Sequence, residues 1–247
     1  MNTNITLPKI TKETVEQFAF TNRGLLNEKA KAIVLDFHGL GSCELRNKYS
    51  DLDILCADNG VLCVYPYYGP WSWMNSDAVK YVDEIVLALC DREELDINNV
   101  TIISTGGSMG GLSALIYSRY AEITPKACFA NCPVCDLLYH ATERPDLPRT
   151  VYLAFNYSGI SLEEAIKNNS PLHQVKNMPN IKYYIIHGTA DTAVNMEMHS
   201  NRFVDAMRKE NKTVEYVVVD NMWHCDISSF PSVKEKYFTE IIKAAKE

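Results

Sequence analysis

The sequence predicts an α/β fold in which helices cover both faces of a mostly parallel sheet. Short apolar runs rich in β-branched residues alternate with segments whose apolar residues repeat at helical spacing. Strands that lack apolar–polar alternation are typical of a sheet buried on both faces. A chain of 247 residues often forms one such unit, so we expect a single domain over residues 1–247.

Six strands are predicted after residue 30, whereas the opening segment shows no clear pattern. The first two, KAIVLDF and VLCVYP, are apolar runs of the length that buried strands prefer. In chain order the six strands are Lys31–Phe37, Val61–Pro66, Val100–Ser104, Lys126–Ala130, Ile181–Ile186 and Thr213–Val219.

Four helices are predicted between and after these strands. In the first, Val79, Val82, Val86 and Leu89 repeat at helical spacing behind Ser76, a candidate N-cap. In the last, a proline suits the first turn and the apolar residues share one face. The four helices are 76–95, Met109–Tyr120, Asn195–Lys209 and Pro231–Lys246.

One stretch, residues 137–178, interrupts the alternation of strands and helices. It contains three prolines, mixed charges and one clear helical patch, SLEEAIKNN. We expect this stretch to lie over one end of the sheet as a small lid or cap insertion.

Composition excludes several classes of protein. A net charge of -7 without a dense Lys/Arg cluster argues against a nucleic-acid partner. The N-terminus lacks the basic start and apolar core of a signal peptide, and no apolar run is long enough for a membrane span. The eight cysteines are scattered through apolar runs, which favours reduced thiols and a cytoplasmic location. Composition contains no signal for the oligomeric state.

The stretch TIISTGGSMGGLSALIY, residues 101–117, places Ser108 among four glycines between a predicted strand and a predicted helix. A serine held on a sharp strand-to-helix turn needs small neighbours, because side chains two residues before and after it would collide. Gly106 to Gly110 therefore form a G-x-S-x-G nucleophile elbow. The helix that follows brings backbone N–H groups close to the hydroxyl. Ser108 is thus the candidate nucleophile.

A serine nucleophile needs a base, and His224 is the candidate among six histidines. In this architecture the chain order is Ser, then acid, then His. His224, in the stretch DNMWHCD, follows the last strand and precedes the final helix. The other five suit structural, loop or helical positions better; they are His38, His140, His173, His187 and His199.

Asp191 is the preferred acid, in the stretch YYIIHGTADTAV. Small residues after the strand free its carboxylate to reach the histidine loop. Asp136, which follows an earlier strand, is the rival. Asp226 is two residues from His224, where a solvated or capping role fits better.

These segments together resemble the α/β-hydrolase family from Lys31 onward. The resemblance rests on FHGLG, GGSMGG, HGTADTAV and WHCD, and the stretch NSPLHQVKNMPNIKYYIIHGTAD is similar to the prolyl-oligopeptidase-like and small esterase branches. It implies an eight-stranded, mostly parallel sheet and a serine hydrolase mechanism without metal or cofactor. It also implies an oxyanion hole from the N–H groups of Met109 and Leu40, the latter beside His38 and Gly39. The family's first two strands are hard to find before residue 30.

The stretch YPYYGPWSWMN, residues 65–75, contains five aromatic residues after a strand end. It either anchors a loop on the core or forms an aromatic wall for an acyl group or a sugar ring. The candidate wall residues are Tyr67, Tyr68 and Trp71, together with Trp223 beside the histidine.

The stretch CFANCPVCD raises a metal or redox hypothesis, because Cys132 and Cys135 form a C-x-x-C pair. A single C-x-x-C is weak support, and Cys128 lies inside a predicted strand. We therefore expect buried, inert thiols and no metal.

The predicted function is hydrolysis of a small carboxylic ester, for example an acylated sugar, because the sequence shows no second domain to grip a peptide. A prolyl-oligopeptidase-like peptidase acting on short peptides is the alternative, and Glu44 is the one obvious candidate to bind a substrate amine. A silent binding protein on the same fold is a third.

Overall fold

A computed structural model of the protein describes residues 9–247. Its centre is a seven-stranded sheet. The strands are β1 (Ala19–Thr21), β2 (Ala32–Phe37), β3 (Val61–Pro66), β4 (Thr101–Gly107), β5 (Ala127–Asn131), β6 (Lys182–Gly188) and β7 (Val214–Val219).

The spatial order of the strands is β1-β3-β2-β4-β5-β6-β7. Strand β1 pairs with β3 in antiparallel register, with Ala19 opposite Pro66. All the other pairs are parallel, so their carboxyl ends meet at one edge of the sheet. The mostly parallel sheet is as predicted, but the described residues contribute seven strands rather than the eight implied by the resemblance.

Nine α-helices connect and flank the strands within residues 9–247. They are α1 (Asp51–Asp58), α2 (Ser76–Glu93), α3 (Met109–Tyr120), α4 (Leu137–Glu143), α5 (Leu147–Phe155), α6 (Leu162–Asn168), α7 (Pro171–Gln174), α8 (Arg202–Lys209) and α9 (Pro231–Lys246). None of the helices in this part of the chain is long and apolar enough to span a membrane.

Two predicted helix starts differ from the structure. The N-cap of α2 is Asn75, whose side chain accepts a hydrogen bond from the Ala78 N–H at 3.0 Å, and Ser76 is the first helical residue. The predicted helix from Asn195 begins as a π-helical turn at Glu197–Asn201 and becomes α-helical only at Arg202. Asn and Ser are both good caps, so local sequence cannot choose between neighbours.

Apolar side chains pack on both faces of the sheet, which explains why the strands show no alternation. In β2, Ile33 and Leu35 belong to the cluster that contains residues of α2 and α3. Val34, between them, belongs to the cluster on the other face with residues of α1 and α9. Alternate residues of one strand therefore enter two cores.

The predicted lid segment forms helices α4 to α7 and packs on the main core. Leu137, Leu147 and Phe155 are buried in the same cluster as α2 and α3. The Trp73 indole N–H donates to the Thr150 hydroxyl at 3.0 Å, which fixes the aromatic loop against α5. A lid function for this segment stays a prediction.

Candidate active site

Ser108 lies between β4 and α3 in a strained backbone conformation, with φ 59° and ψ -122°. A positive φ is costly for a residue with a side chain and is often found at functional sites. The Ser108 N–H donates to the Asn131 carbonyl at 3.0 Å, which holds the turn against β5. The hydroxyl does not cap α3, so it is free for another role.

The glycines around Ser108 are required by close backbone contacts. A Cβ on Gly106 would lie 2.5 Å from the Gly110 carbonyl oxygen, and one on Gly110 would lie 2.1 Å from the Phe37 carbonyl oxygen. Real Cβ atoms do not approach so closely. The start of α3 is therefore pressed against the end of β2, which brings the loop His38–Leu40 beside the elbow.

Asp191 and His224 form a direct hydrogen bond, with 2.7 Å between Asp191 Oδ2 and His224 Nδ1. The Asp191 carboxylate is fully buried. Its Oδ1 accepts hydrogen bonds from the N–H groups of Ala193 and Val194, at 2.9 and 3.0 Å. These bonds leave Oδ2 oriented towards the imidazole ring.

Hydrogen bonds set the charge states of this pair. Burial raises the pKa of Asp191, but hydrogen bonds from His187, His224 and the Val194 N–H outweigh it and hold the pKa well below its usual range. Burial lowers the pKa of His224, but the Asp191 carboxylate and the Cys132 thiol raise it to about 9. An ionised Asp191 accepts the Nδ1 proton and leaves Nε2 to exchange protons.

The loop that carries His224 packs directly on the Ser108 elbow. The Asn131 carbonyl accepts both the Ser108 N–H, at 3.0 Å, and the Cys225 thiol, at 3.4 Å. A Cβ on Gly107 would lie 3.0 Å from the Cys225 sulfur. Within residues 9–247, no hydrogen bond joins the Ser108 hydroxyl to the His224 ring, a bond that often tightens only when substrate is bound.

The two candidate oxyanion donors are Met109, within the elbow, and Leu40, in the loop after β2. Met109 is the first residue of α3 and is buried, and the N–H at that position of a helix has no partner inside the helix. Leu40 is half-buried in the loop after β2. Its position follows from the contact of α3 with Phe37 and His38.

The aromatic loop divides into anchors and exposed rings. Tyr68 is buried and stacks on His38 with 4.0 Å between ring centroids, and its hydroxyl donates to the His38 carbonyl. Because other side chains cover its ring, Tyr68 supports the His38 loop and, contrary to the prediction, is not part of an exposed aromatic wall. The half-buried Tyr67 accepts a hydrogen bond from the Arg46 N–H. Trp71 and Trp223 are 38% and 64% exposed.

The rival residues have other roles. Asp136 caps α4 through the Tyr139 N–H and pairs with Arg202 at 3.0 Å. Asp226 accepts from the Ser229 N–H and caps a short turn. His140 and His199 both contact the Glu143 carboxylate, at 2.5 and 2.9 Å, and His173 lies 3.5 Å from Asp136.

Sequence analysis missed the contact of His187 with the acid. His187 is fully buried, and its Nε2 lies 3.2 Å from Asp191 Oδ2 and 3.1 Å from the Val194 carbonyl. Its Nδ1 lies 2.6 Å from the Ser200 hydroxyl. The stretch HGTAD could have indicated this contact, because its histidine lies at the end of a strand, four residues before the aspartate.

The cysteine partners also differ from those that the C-x-x-C spacing suggested. Cys135 donates to the Pro133 carbonyl at 3.6 Å and Cys128 is buried within β5. The partner of Cys132 is Cys225, whose backbone N–H lies 3.4 Å from the Cys132 sulfur. Hydrogen bonds from Cys225 and His224 lower the pKa of Cys132 against the effect of burial.

The sequence of residues 76–243, more than half of the chain, matches the profile of the prolyl oligopeptidase family. The chain belongs to this family. Ser108, Asp191 and His224 all lie inside the matched range. The predicted resemblance to a serine hydrolase of this branch is therefore confirmed. Among curated proteins, no sequence matches the chain.

Solved structures that resemble this family member include peptidases and an S-formylglutathione hydrolase. A Mycobacterium tuberculosis puromycin-hydrolyzing peptidase has a TM-score of 0.69 and 18% identity, covering 87% of this chain and 35% of the peptidase. A Pyrococcus horikoshii acylaminoacyl peptidase has a TM-score of 0.70 and 16% identity, covering 88% and 37%. The Agrobacterium tumefaciens S-formylglutathione hydrolase has a TM-score of 0.69 and 15% identity, covering 92% and 88%.

These likenesses establish the α/β-hydrolase fold. The chain spans little more than a third of the length of the two peptidases, but most of the length of the S-formylglutathione hydrolase. The family member therefore shares its fold with both peptidases and with the S-formylglutathione hydrolase.

Proposed function

We propose that the protein is a serine hydrolase in which Ser108 is the nucleophile, His224 the general base and Asp191 the orienting acid. The observation that carries this proposal is the 2.7 Å hydrogen bond between Asp191 and His224, on a loop packed against the strained Ser108 turn. An acid–base pair and a serine on a sharp turn are the parts that acyl transfer requires.

The proposed reaction has two halves. Nε2 of His224, in the neutral form of the ring, takes the proton of Ser108, and Oγ attacks the carbonyl carbon of the substrate. The N–H groups of Met109 and Leu40 stabilise the negative oxygen. His224 then gives the proton to the leaving alcohol, which departs and leaves an acyl-enzyme. Water, deprotonated by His224, attacks the acyl-enzyme and releases the acid and Ser108.

The substrate that we favour is a small carboxylic ester, for example an acylated sugar. Trp71 and Trp223 have exposed ring surface, and flat apolar rings suit an acyl chain or a sugar face. Trp71 Nε1 lies 4.0 Å from where a Cβ on Gly41 would stand, so the ring borders the loop that carries Leu40. An exposed aromatic ring next to this loop supports a substrate with an apolar acyl chain or a sugar ring.

A short peptide is the second candidate substrate, because the chain belongs to a peptidase family. A peptidase that binds a substrate amine needs a carboxylate near the nucleophile. Glu44 is exposed on the loop after β2 and is the candidate for that role. Rates on p-nitrophenyl acetate, a long-chain ester and a dipeptide anilide, measured side by side, separate the two substrate classes.

Replacement of the serine tests the proposal. We expect Ser108→Ala to lower kcat on the best substrate by at least about 1000-fold with little change in thermal stability. Ser232→Ala, at an exposed position in α9, is the matched control and should keep full activity. Full turnover by Ser108→Ala would remove Ser108 from the mechanism, and a folded wild-type protein inert on all three substrates would favour a silent binding protein. The cytoplasmic location stays a prediction from the cysteine content.

A further inference from the structure

Three strained residues meet beside the proposed active site. Among residues 9–247, eight non-glycine residues have a positive φ, and they include Ser108, Cys132 with φ 45° and Cys225 with φ 56°. These three residues lie on different loops and are connected through the Asn131 carbonyl and the Cys132 sulfur. Strained backbone persists only where the surrounding structure holds it in place, and such residues cluster at active and ligand-binding sites.

The two cysteines and the histidine present three metal-binding atoms to one point. The sulfur atoms of Cys132 and Cys225 and a ring nitrogen of His224 all lie within 4.8 Å of one another. The separation between Cys225 Sγ and His224 Nε2 is 3.9 Å. Tetrahedral Zn²⁺, with bonds of about 2.3 Å to sulfur and 2.0 Å to nitrogen, holds its ligand atoms about 3.5–3.8 Å apart. Small side-chain rotations would bring the three atoms to that spacing.

The neighbouring carboxylate prepares the histidine for this role. A histidine that binds a metal through one nitrogen usually donates the other N–H to a carboxylate. Asp191 Oδ2 accepts the Nδ1 proton of His224 at 2.7 Å, so Nε2, the nitrogen that faces the Cys225 sulfur, is the ring atom that can bind a metal once its own proton is displaced. The arrangement that makes Nε2 a base also makes it a ligand.

A second group of candidate ligands, Cys132, His187 and Asp191, is already saturated. Asp191 accepts four hydrogen bonds, and both nitrogens of His187 have partners. His187 is also fully buried, whereas His224 and Cys225 are half-buried and can be reached from solvent.

A third group, His140, Glu143 and His199, is saturated in the same way. Glu143 holds both imidazole rings, and His199 Nδ1 accepts the N–H groups of Cys135 and Asp136. The group of Cys132, Cys225 and His224 differs from the other two because its contacts are weak sulfur hydrogen bonds of 3.4–3.9 Å, which an incoming ion can replace.

We propose that Cys132, Cys225 and Nε2 of His224 form a site for Zn²⁺ or another thiophilic divalent cation, and that the bound cation switches off hydrolysis. Thiolates and imidazole are the ligands that such cations prefer. Binding displaces to solvent the protons held by the thiols and by Nε2, and the cation then occupies the nitrogen that must accept the Ser108 proton. The inhibitory consequence rests on the proposed function, whereas the binding itself does not.

Cobalt titration tests the binding without reference to activity. The full chain, reduced with a phosphine and freed of metal, is titrated with Co²⁺, whose bonds to thiolate give charge-transfer absorption in the near ultraviolet. We expect one Co²⁺ per chain with thiolate bands, and displacement of the cobalt by Zn²⁺. Cys132→Ser and Cys225→Ser should each weaken binding at least about 100-fold, because each removes a direct ligand. Cys43→Ser, which removes an exposed thiol elsewhere, is the control and should bind normally.

Absence of thiolate bands, normal binding by Cys225→Ser, or loss of binding in Cys43→Ser would each overturn the proposal. Cys132 is fully buried, so its variant is interpreted only if its circular dichroism matches wild type. Cys225 is half-buried, and Cys225→Ser decides the matter if Cys132→Ser does not fold.

Inhibition is then measured within each variant as the ratio of rates with and without Zn²⁺. Saturating Zn²⁺ should slow ester hydrolysis by wild type at least tenfold, reversibly on adding EDTA, and should change the rate of Cys225→Ser by less than about twofold. An unchanged wild-type rate at saturation contradicts the switch. If Ser108→Ala is fully active, the proposed function is wrong, but the cobalt titration still tests the metal site because it does not depend on activity.

Discussion

Asp191 Oδ2 lies 2.7 Å from His224 Nδ1, although the two residues are 33 positions apart in the sequence. Asp191 follows β6 and His224 follows β7, which are neighbouring parallel strands. Parallel strands end at the same edge of the sheet, so the topology itself brings the two loops together. The carboxylate is buried, and its two hydrogen bonds from backbone N–H groups then orient it towards the His224 ring.

We predict that Asp191→Asn lowers kcat by about 100- to 10,000-fold, because an amide can hold the wrong tautomer of His224. Steady-state kinetics on the best ester substrate provides the measurement. Asp226→Asn, two residues from the histidine, is the matched control and should change kcat by less than about threefold. Equal losses of kcat in the two variants would mean that negative charge near His224 matters, rather than the specific hydrogen bond to Asp191.

His187 is predicted to be a positioning residue that holds Asp191 in place. His187→Gln should lower kcat about tenfold with little change in KM, and should lower the free energy of unfolding by about 1–3 kcal/mol, because it disturbs buried hydrogen bonds. His173→Gln, at a partly exposed position, is the control. A stability loss with unchanged kcat would assign His187 a purely structural role.

Gly110→Ala is predicted to destabilise the fold by about 3 kcal/mol or more, since its Cβ would stand 2.1 Å from the Phe37 carbonyl oxygen. Gly39→Ala is the control, because no atom lies within 4 Å of the Cβ it would add. Its unfolding free energy should change by about 1 kcal/mol or less. Urea unfolding measures both variants. A Gly110→Ala variant as stable as wild type would show that α3 is not pressed against β2.

Acid is predicted to weaken the attachment of α4 to the core. Burial raises the pKa of Glu143, but hydrogen bonds from His140 and His199 lower it to about 2, from an ordinary value of 4.5. Its stabilising contribution is therefore present above pH 4.5 and lost as the pH falls towards 2. Burial lowers the pKa of His140 from 6.5, so stability from that neutral ring is also lost as the pH falls below 6.5.

Unfolding free energies measured from pH 7 to pH 3 test this dependence. Wild type should lose on the order of 2 kcal/mol more than Glu143→Gln over that range, because the variant has no carboxylate to protonate. Glu163→Gln, which removes an exposed carboxylate, should follow the wild-type curve. Parallel curves for wild type and Glu143→Gln would contradict the role of Glu143.

Much of the fold could be predicted because buried strands leave a clear pattern in the sequence, namely short runs of apolar residues. The six predicted strands all exist, with ends that differ from the observed ones by at most three residues, since runs such as KAIVLDF are apolar on both faces. Strand β1 was missed because three residues carry too little pattern and its pairing with β3 is a tertiary contact. The π-helical turn before α8 was missed for a related reason, because its residues His199 and Ser200 bond to Glu143 and His187.

The proposed site divides in the same way. Ser108, Asp191 and His224 could be chosen from the sequence because each follows a strand at a turn with recognisable chemistry. The burial of Tyr68 could not be predicted, because it depends on a hydrogen bond and ring stacking with His38, which lies on another loop. The pairing of Cys132 with Cys225 joins residues 93 apart, whereas the local C-x-x-C spacing pointed to Cys135.

Covalent labelling with a fluorophosphonate, located by peptide mass spectrometry, tests the central proposal most directly. We expect one adduct per chain on the Ser108 hydroxyl, no adduct in Ser108→Ala, and much slower labelling in a folded His224→Gln variant. An adduct on a different side chain, or no adduct on a chain that hydrolyses ester, would contradict the proposal that Ser108 is the nucleophile.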